Sequence, residues 1–481
     1  MKLINPLIII RILCIILLIE TISFLFCLPV VFIYNESPYP FLYPAAITAL
    51  LSLIFFIMSR KADMDKVGSR DGYMSVTLSW LLFTIIGTLP YLLSRSIPSF
   101  VDAFFESTSG FTTTGSSIVK NVEALPYSIL FWRSFTHWIG GLGIIALVVI
   151  ILPTLRVNGY QLFSLESSLN EKMHPRTQAI GFRVMFIYLG LTVTQVILLS
   201  FGDMNLFDSI CHTFGTISTG GFSTKNLKLA AFSSYSQYIV MIFMFLAGIS
   251  QLVYYYLFKL NFKKVKQNEE IWFYLGVVLI TGATATFILL FNSTRTFETS
   301  FREGFFQVIS IISCTGFASA DYLLWPVTGM ILIFILLFAG GSTGSTSGGI
   351  KMARHLVVLK NIKNVFVKLN HPNAISLIKL NNKVISENTN VSIISFVALF
   401  LFIFIVGTVF VAATGVDNLT AASSVITCMA GIGPGLGTVG PMSNFAHLPE
   451  ITKVVLSLLM ILGRLEIIAV FTLFTRTYWK R

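Results

Sequence analysis

Four short clusters of Gly, Thr and Ser are the residues of this chain best suited to chemistry. They are Thr112-Thr113-Thr114-Gly115, Ser218-Thr219-Gly220-Gly221-Phe222-Ser223-Thr224, Ser313-Cys314-Thr315-Gly316-Phe317 and Ala430-Gly431-Ile432-Gly433-Pro434-Gly435. The turns themselves contain no carboxylate and no histidine. The ligands on offer are backbone carbonyls and hydroxyls, which suit a monovalent cation better than calcium, magnesium or a transition metal. Glycine permits backbone conformations that aim consecutive carbonyls the same way. Four such turns around one axis would form a ring of oxygens able to replace a cation's water shell. Acidic residues near the clusters are expected at the entrances and favour the same sign of charge: Asp102 and Glu106, Asp203 and Asp208, Glu298 and Glu303, and Asp417.

A further Gly-rich run, Gly340-Gly341-Ser342-Thr343-Gly344-Ser345-Thr346-Ser347-Gly348-Gly349, interrupts an apolar stretch. Irregular backbone at membrane depth survives only when protein covers it or it lines a cavity. A flexible plug beneath the four clusters, able to block or withdraw, is the natural reading. Two other motifs overlap it. Gly340 to Gly344 matches G-x-S-x-G, the pattern of a serine nucleophile, with Ser342 as nucleophile and His137 as the only candidate base. Gly344 to Gly349 mimics the start of a phosphate-binding loop, but Ile350 stands where its lysine must be. Arg464 falls inside the last apolar stretch, and an ionisable group there is a functional hypothesis by default. It either caps carbonyls of a half-helix or of the broken segment, or places a positive charge beside a pore. Glu466, two residues on, does not share its helix face.

The elements that must position these residues are membrane spans. The chain has 481 residues, of which 55% are hydrophobic and only 11% charged, with a mean hydropathy of +0.82. It lacks the polar residues to clothe three soluble domains. Apolar stretches of spanning length run approximately over 7–33, 41–59, 73–94, 127–153, 180–202, 236–258, 271–292, 326–358, 391–414 and 451–475. The first is too long for a signal-peptide core and lacks a cleavage site, so it reads as a retained span. Cys14, Cys27, Cys211, Cys314 and Cys428 show no pairing or metal spacing. His174, His212, His355, His371 and His447 show no ligand spacing either.

The net charge of +12 would suggest nucleic acid in a soluble protein. Here most of the basic residues fall in alternate loops and at both termini. Arg60, Lys61, Lys66 and Arg70 sit in one such loop, Lys259, Lys263, Lys264 and Lys266 in another, and Lys351, Arg354, Lys360, Lys363, Lys368, Lys379 and Lys383 in a third. That bias predicts these loops and both termini in the cytoplasm. The charge then reads as orientation and docking surface, not as a nucleic-acid footprint, in a chain whose surroundings are membrane lipid. The register glycines Gly115, Gly221, Gly316 and Gly433 recur about every 100 residues, as an internal repeat. Each unit reads span, short re-entrant helix, turn, span. The expected fold is an all-α polytopic membrane protein with ten spans and four re-entrant pore helices. Residues 1–70 hold two extra spans, and the pore units cover 71–178, 179–268, 269–385 (with the broken second span) and 386–481.

This plan resembles the superfamily of Trk, Ktr and HKT potassium transporters, and within it the TrkH family, the membrane subunits of bacterial Trk potassium uptake systems. The resemblance covers essentially the whole chain. It rests on the Thr113-Thr114-Gly115 turn, Gly220-Gly221-Phe222-Ser223-Thr224, Thr315-Gly316-Phe317, Gly433-Pro434-Gly435-Leu436-Gly437 and Gly463-Arg464-Leu465-Glu466. It implies one filter glycine per loop, at Gly115, Gly221, Gly316 and Gly433. Carbonyls would come from Thr113, Thr114, Thr219, Gly220, Cys314, Thr315, Gly431 and Ile432, with K⁺ bound among them and no cofactor on this chain. Two departures from the pattern are Cys314, where Thr is expected, and Ala430-Gly431, where Asn is common. The resemblance further implies an intramembrane gate over 340–349, a homodimer in the bacterial inner membrane, and a TrkA-like cytoplasmic regulatory subunit that carries the nucleotide. Channel-like K⁺ uptake is the expected activity, with a symporter coupled to Na⁺ or H⁺ as the alternative and a membrane enzyme using Ser342 as the distant rival.

Overall fold

Lipid offers the backbone no hydrogen-bond partner, so long apolar runs close their bonds within helices. The computed structural model describes residues 4–64, 68–146, 174–292, 294–373 and 377–479, and its helices follow those runs. Helices α1 (Pro6–Ile33) and α2 (Tyr39–Met58) pair as a hairpin, and α3 (Ser69–Ile86) continues past Gly87 into α4 (Leu89–Leu93). Then come α5 (Phe100–Phe111), α6 (Tyr127–Ala146), α7 (His174–Ser200), α8 (Leu206–Ile217), α9 (Ser234–Ala247), α10 (Gln251–Phe258) and α11 (Phe262–Lys266). The second half holds α12 (Glu269–Asn292), α13 (Phe297–Ile312), α14 (Val327–Leu336), α15 (Met352–Asn370), α16 (Glu387–Ala413), α17 (Asn418–Ala430), α18 (Glu450–Arg464), α19 (Ile467–Leu473) and α20 (Arg476–Trp479). A two-residue hairpin, Lys379–Leu380 against Lys383–Val384, is the sheet content of the described residues.

By length and composition α1, α2, Arg70–Leu93, Arg183–Ser200, α12 and α16 can each cross a bilayer. Small polar side chains bring α1 and α2 together. Thr21 Oγ1 donates to Thr48 Oγ1 at 2.7 Å, and Ser52 Oγ to the Cys14 carbonyl at 3.1 Å. The other apolar stretches are interrupted. The one expected at 236–258 turns by 94° between α9 and α10. The one expected at 326–358 is helical only over α14 and from Met352 onward. The last breaks at Leu465–Glu466, where Glu466 adopts a φ of 63°. Arg464 therefore ends helix α18, at the break inside that stretch. The stretch expected at 127–153 is helical to Ala146. Its remainder, with Arg156, Lys172, Lys66 and the terminal Lys2, Lys480 and Arg481, lies outside the described residues.

The four short helices α5, α8, α13 and α17 pack each between the helices that precede and follow it. In addition α8 lies against α6, α13 against α9, and α5 against α18, so the first unit packs on the second, the second on the third and the fourth on the first. Outward faces carry exposed Leu50, Phe186, Ile280, Phe291, Phe402 and Val409, as a lipid-facing surface requires. Trp132 on α6 is fully buried. Phe24, Phe111 and Phe41 surround its ring at centroid distances of 4.8, 5.9 and 6.3 Å. Its indole N–H donates to the Gly87 carbonyl at 3.3 Å, at the break between α3 and α4. Trp132→Ala removes both the packing and that bond. It should cost about 3–5 kcal/mol, read as a lower thermal midpoint of the detergent-solubilised protein with no change in a surface control such as Lys383→Ala.

Candidate functional site

Each short helix begins on a residue whose side chain accepts the amide three positions on, the usual answer to orphan N–H groups at a helix start. Ser99 accepts from Asp102 at 3.4 Å, Asn205 from Asp208 at 2.7 Å, Thr296 from Thr299 at 3.3 Å and Asp417 from Thr420 at 3.0 Å. The bonds from the Thr420 hydroxyl and amide hold the Asp417 carboxyl below the usual carboxylate range. The helices end alike too. The amides of Thr114, Gly220, Thr315 and Ile432 donate to the carbonyls of Ser109, Gly215, Ser310 and Thr427 at 2.9, 2.7, 2.8 and 2.9 Å. This 6→1 closure needs a left-handed residue, and Thr113, Thr219, Cys314 and Gly431 take it at φ of 53°, 57°, 58° and 66°. In a β-branched threonine that conformation is an outlier, costing roughly 1–3 kcal/mol. The departure at Gly431 thus falls where glycine carries no such cost.

The four turns then meet. A Cβ on Gly115 would collide with the Gly220 carbonyl, one on Gly221 with that of Thr315, one on Gly316 with that of Ile432, and one on Gly433 with that of Thr114. In every case the oxygen belongs to the residue just before the next turn's own register glycine. The fourth turn closes on the first. These glycines have φ of 81°, 82°, 74° and 98°, so both their conformation and the space beside them exclude a side chain. The sequence-predicted residues Thr113 to Gly115, Thr219 to Gly221, Cys314 to Gly316 and Gly431 to Gly433 are brought together in one closed ring.

Buried polar side chains hold the return strand of each turn. Glu106 accepts from the Ile118 amide (2.9 Å), the Ser117 hydroxyl (2.9 Å) and Arg133 Nε (2.8 Å). Arg133 also donates to the Ser223 carbonyl at 3.3 Å and lies over the Phe222 ring, tying the first turn to the second. His137 bonds the Gly110 carbonyl through Nδ1 (2.7 Å) and accepts the Phe222 amide at Nε2 (3.2 Å). His212 bonds Ser223 Oγ at 2.9 Å, Gln307 donates to the Ala320 carbonyl at 3.0 Å, and Ser423 to that of Leu436 at 3.0 Å. Sequence reasoning missed these roles. A signal was present, since Glu106, His212 and Gln307 each stand nine residues before a register glycine.

The expectation of acidic entrances is corrected. Glu106 is fully buried against Arg133. Asp102 pairs with Lys453 at 2.7 Å, Glu298 with Arg302 at 2.8 Å and Glu303 with Arg295 at 3.4 Å. Asp203 accepts from Ser233 and Ser236, and Asp208 from Thr224. Asp417 is a helix cap. These carboxylates are engaged in caps and ion pairs.

The segment from Gly340 to Gly349 folds against the helix ends on one side of the ring. Thr346 Oγ1 reaches the Ile217 carbonyl at 3.2 Å and Thr219 Oγ1 at 3.4 Å, and Gly348 abuts the Ala430 carbonyl. Ser342 donates its amide to the Gly248 carbonyl at 2.8 Å, and Ser345 and Ser347 share a 2.7 Å bond. Gly344 accepts the Gln251 amide, while Gly340 and Gly341 pair with Ile350 and Met352; Gly349 lies beside Ala339. Three charged groups hold the segment. Glu270 Oε1, in a buried residue, accepts the Thr343 amide (2.6 Å), its hydroxyl (3.1 Å) and the Ala353 amide (3.0 Å), so it ties the segment to the start of α15. Lys351 Nζ donates to the Ser347 carbonyl and, at 3.3 Å, to its hydroxyl. Arg464 donates to the Thr346 carbonyl at 2.7 Å and the Gly140 carbonyl at 3.2 Å. Of its two readings, capping the broken segment is the one these contacts describe. Glu466 pairs instead with Arg354, at 2.6 Å. His137, engaged at both nitrogens with Gly110 and Phe222, is committed elsewhere than Ser342. Among the described residues no group of three His, Cys, Asp or Glu side chains could hold a metal.

The profile of the cation transport protein family TrkH matches residues 46–481. The chain is 36% identical over 427 residues to the Trk system potassium uptake protein TrkH of Salmonella typhimurium, covering 87% of this chain and 88% of that protein. It is 33% identical to the Trk system potassium uptake protein TrkI of Halomonas elongata, over 85% of this chain and 84% of that one. The crystal structure of the potassium transporter TrkH from Vibrio parahaemolyticus superposes with a TM-score of 0.90 at 29% identity, over 99% of this chain and 100% of that one. The shared architecture is a mostly helical polytopic membrane fold.

Breaking the buried Glu106–Arg133 pair tests what holds the turns. Arg133→Met strands a carboxylate and should cost about 3–5 kcal/mol. The double variant Glu106→Gln/Arg133→Met should recover part of that loss, measured as thermal midpoints in a double-mutant cycle.

Proposed function

The chain belongs to the TrkH family of cation transport proteins, and from that premise we propose that it takes up potassium through the ring of four turns. One observation carries the reading: each register glycine faces a carbonyl of the neighbouring turn, and the circle closes. Backbone oxygens converge there with no carboxylate among them, as a site that dehydrates a monovalent cation requires. The filter ligands are the carbonyls of Thr113, Thr114, Thr219, Gly220, Cys314, Thr315, Gly431 and Ile432 with the four register glycines, and K⁺ is cargo; the chain itself carries no cofactor. Helices α5, α8, α13 and α17 are the re-entrant pore helices, set among ten spans. Four units form the pore, preceded by two extra spans. Family membership makes the chain a transporter and not an enzyme, and Ser342 is no nucleophile.

Residues 340–349 act as the gate. In the arrangement described they sit against the ends of α8 and α17 and are pinned by Glu270 and Arg464. The chain lies in the bacterial inner membrane with both termini in the cytoplasm, where the basic loops receive a TrkA-like nucleotide-binding subunit, and it pairs as a homodimer. An inside-negative potential drives uptake, at about 2.3 kcal/mol per charge per 100 mV.

Flux into proteoliposomes, with K⁺, Na⁺ and pH gradients varied separately, tests the activity. Flux needing no second ion is expected; strict dependence on a Na⁺ or H⁺ gradient would establish the symporter instead. Gly316→Ser drives a side chain toward the Ile432 carbonyl and should weaken the preference for K⁺ over Na⁺. Unchanged selectivity would refute the filter assignment. Glu270→Ala removes the bonds that tie Thr343 to the start of α15 and should raise K⁺ flux in the absence of the partner subunit; unchanged flux from folded protein would argue against the gate.

A further inference from the structure

On the side of the ring away from the 340–349 segment lies a cavity of about 100 Å³, bordered by Gly115, Gly221 and Pro434. On the proposed reading a cation must pass through it to reach the filter. Its wall contains no aspartate or glutamate, but it contains Lys120, Arg133, Lys225 and Lys228. Two of these charges are balanced, since Arg133 is bound to Glu106 at 2.8 Å and Lys225 lies 3.9 Å from Asp208. Lys120 is exposed. Lys228 differs from all three. It is half-buried, and its ammonium has no hydrogen-bond or ion-pair partner among the described residues.

The position of Lys228 is built into the fold. Its backbone takes a φ of 52° at the start of a short 3₁₀ turn, Lys228–Ala231, and its amide donates to the Lys225 carbonyl at 3.1 Å. The next residue, Leu229, is fully buried, and its amide donates to the Ala318 carbonyl of the third loop at 3.1 Å. The lysine stem is thus anchored where the second and third loops join. Burial and the nearby Arg133 guanidinium push its ammonium down to about 8, in keeping with a cation that has no counter-charge beside it.

We propose that Lys228 sets the rate of cation entry: a tethered positive charge in the vestibule that lowers the local K⁺ concentration ahead of the filter. A charge-lined cleft focuses its field on ions passing through it. One elementary charge about 10 Å from an ion's path changes the local concentration roughly twofold in water, and more between low-dielectric walls. Salt screens such a charge. Entry at low K⁺ should therefore rise with ionic strength, the reverse of what an acid-lined mouth produces.

This inference rests on the ring being the ion path, and the test separates the two. Initial K⁺ flux is measured in proteoliposomes at subsaturating K⁺ while an impermeant N-methylglucamine salt raises the ionic strength. The wild-type protein should show about a twofold or larger rise. Lys228→Gln should begin higher and respond little to salt. Lys228→Glu should invert the slope, with a lower half-saturating K⁺ and an unchanged maximal rate. A wild-type flux that falls with salt, or a Lys228→Gln profile equal to wild type, overturns the assignment. If Gly316→Ser alters selectivity while Lys228→Gln matches wild type, only the role of Lys228 fails. If neither variant differs from wild type, the ring itself is not the path.

Discussion

Everything at the centre of this molecule depends on one close approach between backbones. At each of four places a glycine leaves open the volume that its own Cβ would fill, and the neighbouring turn's carbonyl occupies it. Carbonyls inside a membrane are costly unless they are hydrogen-bonded or face something polar. A ring of them is sustained only because the helices behind satisfy their own ends. Each short helix is capped by a side chain at its start and closed by a 6→1 bond at its end, and three of the four accept a strained left-handed Thr or Cys to do so. The strain stays where surrounding contacts over-determine the conformation.

Charge is arranged to protect that geometry. Buried ions are expensive alone and tolerable in pairs, and Glu106 with Arg133 joins the first turn to the second. Glu270 and Arg464 do comparable work for the Gly-rich segment, one accepting the amides of Thr343 and of Ala353 just beyond it and the other donating to the Thr346 carbonyl. A segment half made of glycine has few side chains to pack, so backbone bonds to Gly248, Gln251, Ile350 and Met352 and a few charge-assisted bonds define its position.

Much of this was legible in the chain. Apolar runs marked the helices, because lipid enforces intrahelical bonding. The spacing of Gly115, Gly221, Gly316 and Gly433 marked four matching units, and Gly340 to Gly349 marked a break within an apolar stretch. Where the reading went astray, the cause was tertiary. Glu106 and Asp208 were expected at entrances because an acid near a loop normally seeks water; here each has a buried partner beyond its own short helix, Arg133 and Thr224. Hydropathy does not register a left-handed residue such as Glu466, so the helix break just after Arg464 shows only in the structure. His137 and His212 carried no ligand spacing, and their partners are carbonyls, amides and hydroxyls, which leave no signature in a sequence.

The sequence by itself determined the solvent, the helices, the four-part plan and the residue types at its centre. All of these follow from composition and from periodicity along the chain. Only the tertiary structure decided that each turn hands its carbonyl to the glycine of the next, that the acids are spent on caps and pairs, and that Lys228, without a partner among the described residues, stands in the cavity beyond the ring. The reason is physical. Local propensity acts over a few residues, whereas the contacts between turns join segments about 100 to 300 residues apart, and it is their closure around a common centre that fixes where each carbonyl can lie.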